Sequence, residues 1–384
     1  MTSHFNFIVI GAGVVGLSTA FQIKKQYPNS KITIVYEQSQ VETTSYGSGG
    51  FWEPYNVFGT PTDKVNEWGL YSFQHFKECE KLNVPGIRSV QAYNLFHPNA
   101  PQEEETVPFW SHIVGNFHEM TPIEQQDLLQ NHLGNNIQLA ASGNVAYESI
   151  IADQSEYLPW LTNQLKAMGK IHFLPLNKKL VNLKDITLHI KNIQHVDMIC
   201  NCTGFGSYYF NDIKDTTLIP VRGQVVRIKK NKKVTDPDIA YTYETKTGLT
   251  YILPNHNTIV LGGTAEKNKF NLTVNVEVSL QILRNAVNLL PELKDYEVVN
   301  SWVGRRPTRS PLRMEIEEGF GGDVSFPPLL HLCKKCYIYN YCKIFFILLL
   351  FTENFFFLLL FFLSQKMDTV DVELRLEWVV QEMQ

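Results

Sequence analysis

Cysteine is scarce: the 384 residues hold six, at 79, 200, 202, 333, 336 and 342. That density excludes a disulfide scaffold and suits a reducing compartment. Positive charge is not in excess, because Lys+Arg 34 against Asp+Glu 38 leaves a formal net charge of −4, so no nucleic-acid partner is expected. Glycine, 23 in all, is too sparse for a collagen repeat. The opening Met1-Thr2-Ser3-His4-Phe5-Asn6 has no basic stretch, and the apolar run at residues 7–10 is too short for a secretory leader. Long apolar runs are missing too, with one exception: residues 344–363 carry 17 apolar side chains out of 20, including eight of the 24 phenylalanines. The remainder is ordinary. The whole chain, with 44% hydrophobic and 19% charged residues, can bury a core, and its length suits two or three domains of about 150 residues.

Residues 5–10 form a short run rich in β-branched and aromatic side chains that stops at Gly11. From Val14 onward the pattern turns helical, with Val14, Leu17, Phe21 and Lys24 on one side and Pro28 closing the segment. Residues 32–36 form a second β-branched run, so the order is strand, glycine turn, helix, strand. Gly11-Ala12-Gly13-Val14-Val15-Gly16 is therefore a G-x-G-x-x-G in the context that gives it meaning. The first glycine allows the tight turn, the second lets a diphosphate approach the backbone, and the third lets helix and strand pack closely. Glu37 follows Gly16 by 37 − 16 = 21 residues, where a carboxylate can accept hydrogen bonds from a ribose. A dinucleotide site is expected. The next stretch, Thr43-Thr44-Ser45-Tyr46-Gly47-Ser48-Gly49-Gly50-Phe51, suits a chain that lies against phosphate and then passes a flat ring; a plain surface loop uses the same residues.

From about residue 56 to 150 the βαβ rhythm disappears. Short alternating segments such as 91–96 and 136–140 suggest an inserted domain containing strands. A helix follows, with Ser155 as N-cap, Leu158, Leu161, Leu165 and Met168 on one face, Pro159 in its first turn, and Gly169 as terminator. Residues 196–202 read as a buried strand leading into Thr203-Gly204, a return to the nucleotide domain. Residues 221–228, 249–253 and 258–262 read as strands, and 279–290 as a helix.

In order along the chain, FNFIVIGAGVVGLSTAF, TTSYGSGGFWEPY, VPFW, YLPWL, NCTG, VRGQVV, GLTYILP, VLGGT and VGRRPTR resemble the D-amino-acid oxidase and D-aspartate oxidase family, over about residues 5 to 317. The resemblance implies an α/β fold in which an FAD-binding Rossmann-like domain of glutathione-reductase type interleaves with a mixed-sheet substrate domain. The expected division is 1–56, 150–205 and 280–324 for FAD, 57–149 and 206–279 for substrate, and 325–384 as an atypical tail. It implies FAD as cofactor and a small D-amino acid with O2 as reactants, and it sets no oligomeric state. By motif, Ala12, Val14 and Val15 offer backbone to the diphosphate and Glu37 takes the ribose position. Thr43, Thr44 and Ser45 match a phosphate-side hydroxyl cluster. Gly49, Gly50 and Phe51 match the segment beside the flavin ring, and Thr203 its edge. Tyr251 and Arg306 match the tyrosine and arginine that take the substrate carboxylate. Arginine suits that task because its planar fork meets a carboxylate bidentately. Arg305, one residue away on a strand of period two, is expected to point elsewhere and to tolerate substitution. The family's acidic-substrate members tend to carry an arginine just before GLTY; Lys246 stands nearby here, beside an opposing Glu244, and both acidic and neutral substrates stay open.

The family pattern next requires a G-H-G-G run followed by Thr and Trp-Gly. Gly319-Phe320-Gly321-Gly322 is a faint echo of it, followed by Phe326-Pro327-Pro328 and then the apolar window. Residues 325–384 admit three readings: a membrane anchor, since 20 helical residues span ~30 Å; sequence foreign to the fold, such as a retained intron; or a buried helix. A membrane partner is expected only if residues 344–363 are genuine. The alternative functional class is a flavin-binding but inactive or membrane-tethered protein, and sarcosine-type amine oxidases are a further enzymatic rival. His331, Cys333, Cys336 and Cys342 match no zinc spacing, so no metal is expected. The resemblance suggests a cytoplasmic or peroxisomal location, although the chain closes on Glu382-Met383-Gln384 rather than a peroxisomal signal.

Overall fold

In the computed structural model, β1 (Asn6–Ile10), α1 (Val14–Gln26) and β2 (Lys31–Tyr36) form a βαβ unit, β1 and β2 running parallel with Ile8 opposite Thr33. The structure describes residues 5–101, 107–190, 196–213, 215–230, 238–318 and 334–338. They belong to the first of two compact units, residues 1–348; the second, 349–384, lies outside the described residues, as does the whole apolar window at 344–363. After β2 come α2 (Thr44–Gly47), α3 (Thr62–Lys81), β3 (Ile87–Phe96), β4 (Gly115–Glu119), α4 (Pro122–Asn131) and β5 (Val145–Ala152). Then follow α5 (Gln154–Ala167), β6 (Ile171–Pro175), α6 (Ile186–His189), β7 (Met198–Asn201), β8 (Ile219–Lys229), β9 (Ile239–Thr245) and β10 (Gly248–Pro254). The last described elements are β11 (Thr258–Gly262), β12 (Glu266–Lys267), α7 (Val276–Leu289), β13 (Val298–Thr308), β14 (Met314–Glu318) and β15 (Lys334–Ile338).

Two sheets result. The first has the order β14-β15-β7-β1-β2-β6 and is parallel apart from β14. Successive strands run outward from β1 through β2 to β6, and the chain then crosses to β7 on the other side of β1. The carboxyl ends of β1 and β7 therefore make a topological switch point, where open α/β sheets leave a crevice for ligands. The second sheet has the order β12-β8-β11-β10-β9-β3-β5-β4, with β13 also paired to β8; its one parallel pair is β3 with β9. One face of it is a core built by Val226, Ile228, Tyr241, Tyr243, Ile252 and Leu261 against Ile282, Leu283, Ala286 and Leu289 of α7. The other face, by alternation, carries Thr242, Glu244, Leu249 and Tyr251.

Several expectations need correction. Residues 280–308, expected with the nucleotide domain, join the second sheet, because α7 buries its apolar side on that core and β13 pairs with β8 from Val298 to Thr308. Residues 334–338, expected in the separate tail, form the strand beside β7. Residues 136–140 are not a strand: the chain turns there, with the Ile137 N–H donating to the Gly134 carbonyl. Asp153, not Ser155, caps α5, its Oδ1 accepting from the Ser155 N–H at 3.0 Å. Pro159 accordingly lies inside the helix; it and Ser155 are exposed, so the carbonyl its ring leaves unbonded faces water. Among the described residues no helix is long and apolar enough to cross a membrane.

Candidate functional site

Gly11 leaves β1 with φ +116, and its N–H donates to the Val35 carbonyl at 2.7 Å. A Cβ there would strike the carbonyl of Cys202 at the end of β7, and a Cβ at Gly16 would strike the carbonyl of Gly11. The first and third glycines thus let β1, β7 and α1 converge, which brings the start of α1 to the switch point. Gly11, Ala12, Gly13, Val14 and Val15 line a cleft of about 420 Å³ together with Glu37, Thr43, Thr44, Ser45 and Thr203. Every cofactor residue expected from Gly11 to Ser45 except Gly16 lies on that cleft, and Gly16 supports it from behind. The residues fit a dinucleotide: backbone N–H groups and hydroxyls collect at a helix start, and at Gly13 even a Cβ would come within 3.0 Å of Ser45 Oγ.

The hydroxyls have more local work than the sequence suggests. Ser45 Oγ accepts from the Val14 N–H at 3.0 Å, so the serine meets the helix N-terminus and keeps its own O–H to donate to a phosphate. The Val14 N–H is thus bonded to Ser45. Thr43 caps α2, accepting from the Tyr46 N–H at 3.3 Å and donating to the Gln40 carbonyl at 2.6 Å. The Thr44 hydroxyl donates to the Arg305 carbonyl at 3.4 Å. Thr203 Oγ1 bonds Asn201 Oδ1 and Ser207 Oγ, both at 2.8 Å, which fixes the turn after β7. Glu37 lines the cleft, and its Oε1 accepts from the Leu180 N–H at 2.7 Å.

Gly49, Gly50 and Phe51 line a narrower pocket of about 30 Å³ with Tyr251 and Arg306. Thr44, Ser48, Trp302 and Gly304 line both spaces, so the pocket opens beside the cleft. Arg227, which the sequence did not single out, pins the joining loop: its Nη2 donates to the carbonyls of Tyr46 and Ser48, each at 3.1 Å. Tyr251 stands opposite Gly262 on β11 and Thr242 on β9. A Cβ at Gly262 would occupy the Tyr251 ring, and one at Gly223 would occupy the Arg306 guanidinium. These two glycines make the room in which both side chains lie, and no local pattern marks them. Arg306 Nη1 donates to the Thr264 carbonyl at 3.0 Å, and a guanidinium carries further N–H donors of the kind that can meet a carboxylate. Beside the pocket, Asn94 ties the strands together: its amide N–H reaches Glu53 at 3.1 Å and its oxygen accepts from Tyr147 and Thr242. Burial, with the Glu53 charge, pushes the Tyr147 phenol well above its usual range, so it stays a neutral donor.

Lys246 lies exposed in the β9–β10 turn; Glu244 is the charged residue of that segment on the Tyr251 face of the sheet. Arg305 does point away from Arg306, as expected, but into the dinucleotide cleft. Of the sequence's proposed non-ligands, Cys336 lies on β15 and His331, Cys333 and Cys342 lie outside the described residues.

Residues 6–332 match the family model described as DAO, FAD dependent oxidoreductase. The chain is 31% identical over 312 residues to the D-aspartate oxidase of Homo sapiens, covering 80% of this chain and 83% of that one. It is 26% identical over 318 residues to the D-amino-acid oxidase of Rubrobacter xylanophilus, covering 82% and 86%. Among solved structures it resembles glycine oxidase from Geobacillus kaustophilus, with TM-score 0.63 at 16% identity over 97% of this chain and 98% of that one. It also resembles the FAD-bound L-alpha-glycerophosphate oxidase from Mycoplasma pneumoniae, with TM-score 0.57 at 14% identity over 79% and 83%. At such identities the structures speak for the fold alone.

Proposed function

The chain belongs to the DAO family of FAD-dependent oxidoreductases, and from that premise we propose that it oxidises a D-amino acid with O2 to the 2-oxo acid, ammonia and H2O2. The observation that carries this reading is the meeting of Tyr251 and Arg306 with Gly49, Gly50 and Phe51 in one pocket that opens beside the dinucleotide cleft. When bound, FAD supplies a two-electron acceptor and passes the pair to O2. The protein's part is placement. Arg306 takes the α-carboxylate through two parallel N–H donors, and the Tyr251 hydroxyl adds a second anchor, which fixes the position and face of Cα. The Cα–H bond then breaks with its electron pair, the amine gives up a proton and a C=N bond forms. Water adds to that carbon and ammonia leaves. No side-chain base is needed if the free amine binds, and among the described residues the pocket lining contains no histidine or carboxylate.

The cofactor-side roles follow the cleft. Ser45, Thr44 and the start of α1 meet the diphosphate, Glu37 the ribose, Gly49 to Phe51 the ring, and Thr203 its edge. The test is peroxide release by the purified chain supplied with FAD, using D-alanine, D-aspartate and D-glutamate with their L-enantiomers as controls. Peroxide from a D-form alone supports the reading. A protein that holds FAD and releases none supports the flavin-binding, inactive alternative, which the missing G-H-G-G run favours.

A further inference from the structure

Arg305 and Arg306 are neighbours on β13 and leave the strand on opposite faces, Arg306 into the Tyr251 pocket and Arg305 into the dinucleotide cleft. Three other arginines of this region are paired with acids, unlike Arg227 and Arg306, which donate to backbone carbonyls: Arg222 pairs with Glu266 at 2.5 Å, Arg309 with Asp215 at 3.0 Å and Arg313 with Asp215 at 3.7 Å. Among the described residues no carboxylate pairs with Arg305. Its Nη1 donates to the neutral Tyr209 hydroxyl at 2.8 Å, and its guanidinium lies 5.3 Å from the Phe205 ring centre and 6.0 Å from that of Tyr209. Its backbone is held at another wall of the cleft, where its carbonyl accepts from Thr44. The side chain thus reaches from the hydroxyl-rich loop to the helical turn Gly204–Tyr209, and two aromatic rings fix its course.

The chemistry of the cleft calls for a cation there. The start of α1 offers N–H and hydroxyl groups but no full positive charge. The described bases lining the cleft are Lys179 and Arg305, and Lys179 is exposed, its Nζ 4.1 Å from the Tyr209 ring centre. A half-buried guanidinium without a counter-charge costs free energy that a bound anion recovers. We propose that Arg305 is a cofactor-binding residue that pairs with the diphosphate of FAD, adding the charged contact that the glycine turn lacks. Held by Tyr209 and Phe205, its fork is ordered before the ligand arrives, so little rotamer entropy is lost on binding.

The test measures affinity rather than turnover. The full-length protein is stripped of flavin and titrated with FAD, ADP and riboflavin, the last having no phosphate, over a series of KCl concentrations. Arg305→Gln should weaken FAD and ADP by about 10–100-fold, leave riboflavin within twofold, and flatten the salt dependence of the FAD Kd. Arg305→Lys should recover part of the loss. An FAD Kd within twofold of native in Arg305→Gln would overturn the proposal. So would an equal loss of riboflavin and FAD, which would place the contact at the ring or in the fold. Should Arg305→Gln fail to fold, the native protein still decides: an FAD Kd that does not move with KCl refutes a charged diphosphate contact, and one that weakens with KCl while riboflavin's stays level supports it. Native protein that takes up no FAD at all would overturn the cofactor assignment along with this one.

Discussion

Replacing Arg306 by leucine should leave FAD bound and abolish most turnover. In the structure one donor of the guanidinium is committed, to the Thr264 carbonyl at 3.0 Å, and the group lies over Gly223 in a pocket shared with Tyr251. A substrate carboxylate would take two parallel charge-assisted hydrogen bonds from what remains. Losing such a pair costs roughly 2–4 kcal/mol of transition-state binding, which is about 10²–10³ in kcat/KM. Leucine fills much of the vacated space and Arg306 does not line the dinucleotide cleft, so flavin content should match the native protein. Arg306→Lys should recover only part of the activity, because a point charge cannot reproduce the fork. The assay is peroxide release at subsaturating D-amino acid, normalised to bound flavin. An Arg306→Leu protein with native kcat/KM, or one that loses flavin and activity together, would refute the assignment.

Gly13→Val should abolish FAD uptake, because its Cβ already approaches Ser45 Oγ to 3.0 Å and the branches extend into the cleft; flavin absorbance of the purified variant reads the result. Gly223→Ala should lower kcat/KM by tenfold or more with flavin content unchanged, since a Cβ there occupies the place of the Arg306 guanidinium; unchanged kinetics would contradict this placement. Burial, with the charge of Lys25, holds His75 down to about 4 from 6.5. The folded state resists protonation that the unfolded chain accepts, so the contribution of His75 is fully present above about pH 6.5 and is lost as pH falls toward 4, by about 3 kcal/mol at most. Denaturant midpoints at pH 7, 5.5 and 4 should show that decline reduced in His75→Leu; parallel curves would contradict it.

The parts of the fold that the sequence disclosed are those whose signals are local. Gly11, Gly13 and Gly16 sit within one turn, and the strands β1, β2, β10 and β11 announce themselves by β-branched residues and bounding turns. Helix α3 gave no such signal. Its buried face is Val65, Gly69, Ser72, Phe73, Phe76 and Cys79, and small or polar residues take places where an apolar stripe would show. The place of β13 is not legible locally, because pairing with β8 is a non-local choice decided with the packing of α7. The same holds within the site. Tyr251 and Arg306 stand out as residue types in motifs, whereas Gly223 and Gly262 matter only because another strand brings a ring or a guanidinium against them. Period two correctly separated Arg305 from Arg306, yet only the position of the turn after β7 shows that the far side of the strand is the cofactor cleft.

The most direct test of the account is anaerobic mixing of the flavin-loaded protein with the two enantiomers of one amino acid, followed by visible absorbance. The oxidised-flavin band should bleach with a D-amino acid, persist with its L-enantiomer, and return with stoichiometric peroxide when O2 is admitted. A bound flavin that no D-amino acid bleaches, or that the L-form bleaches as fast, would contradict it.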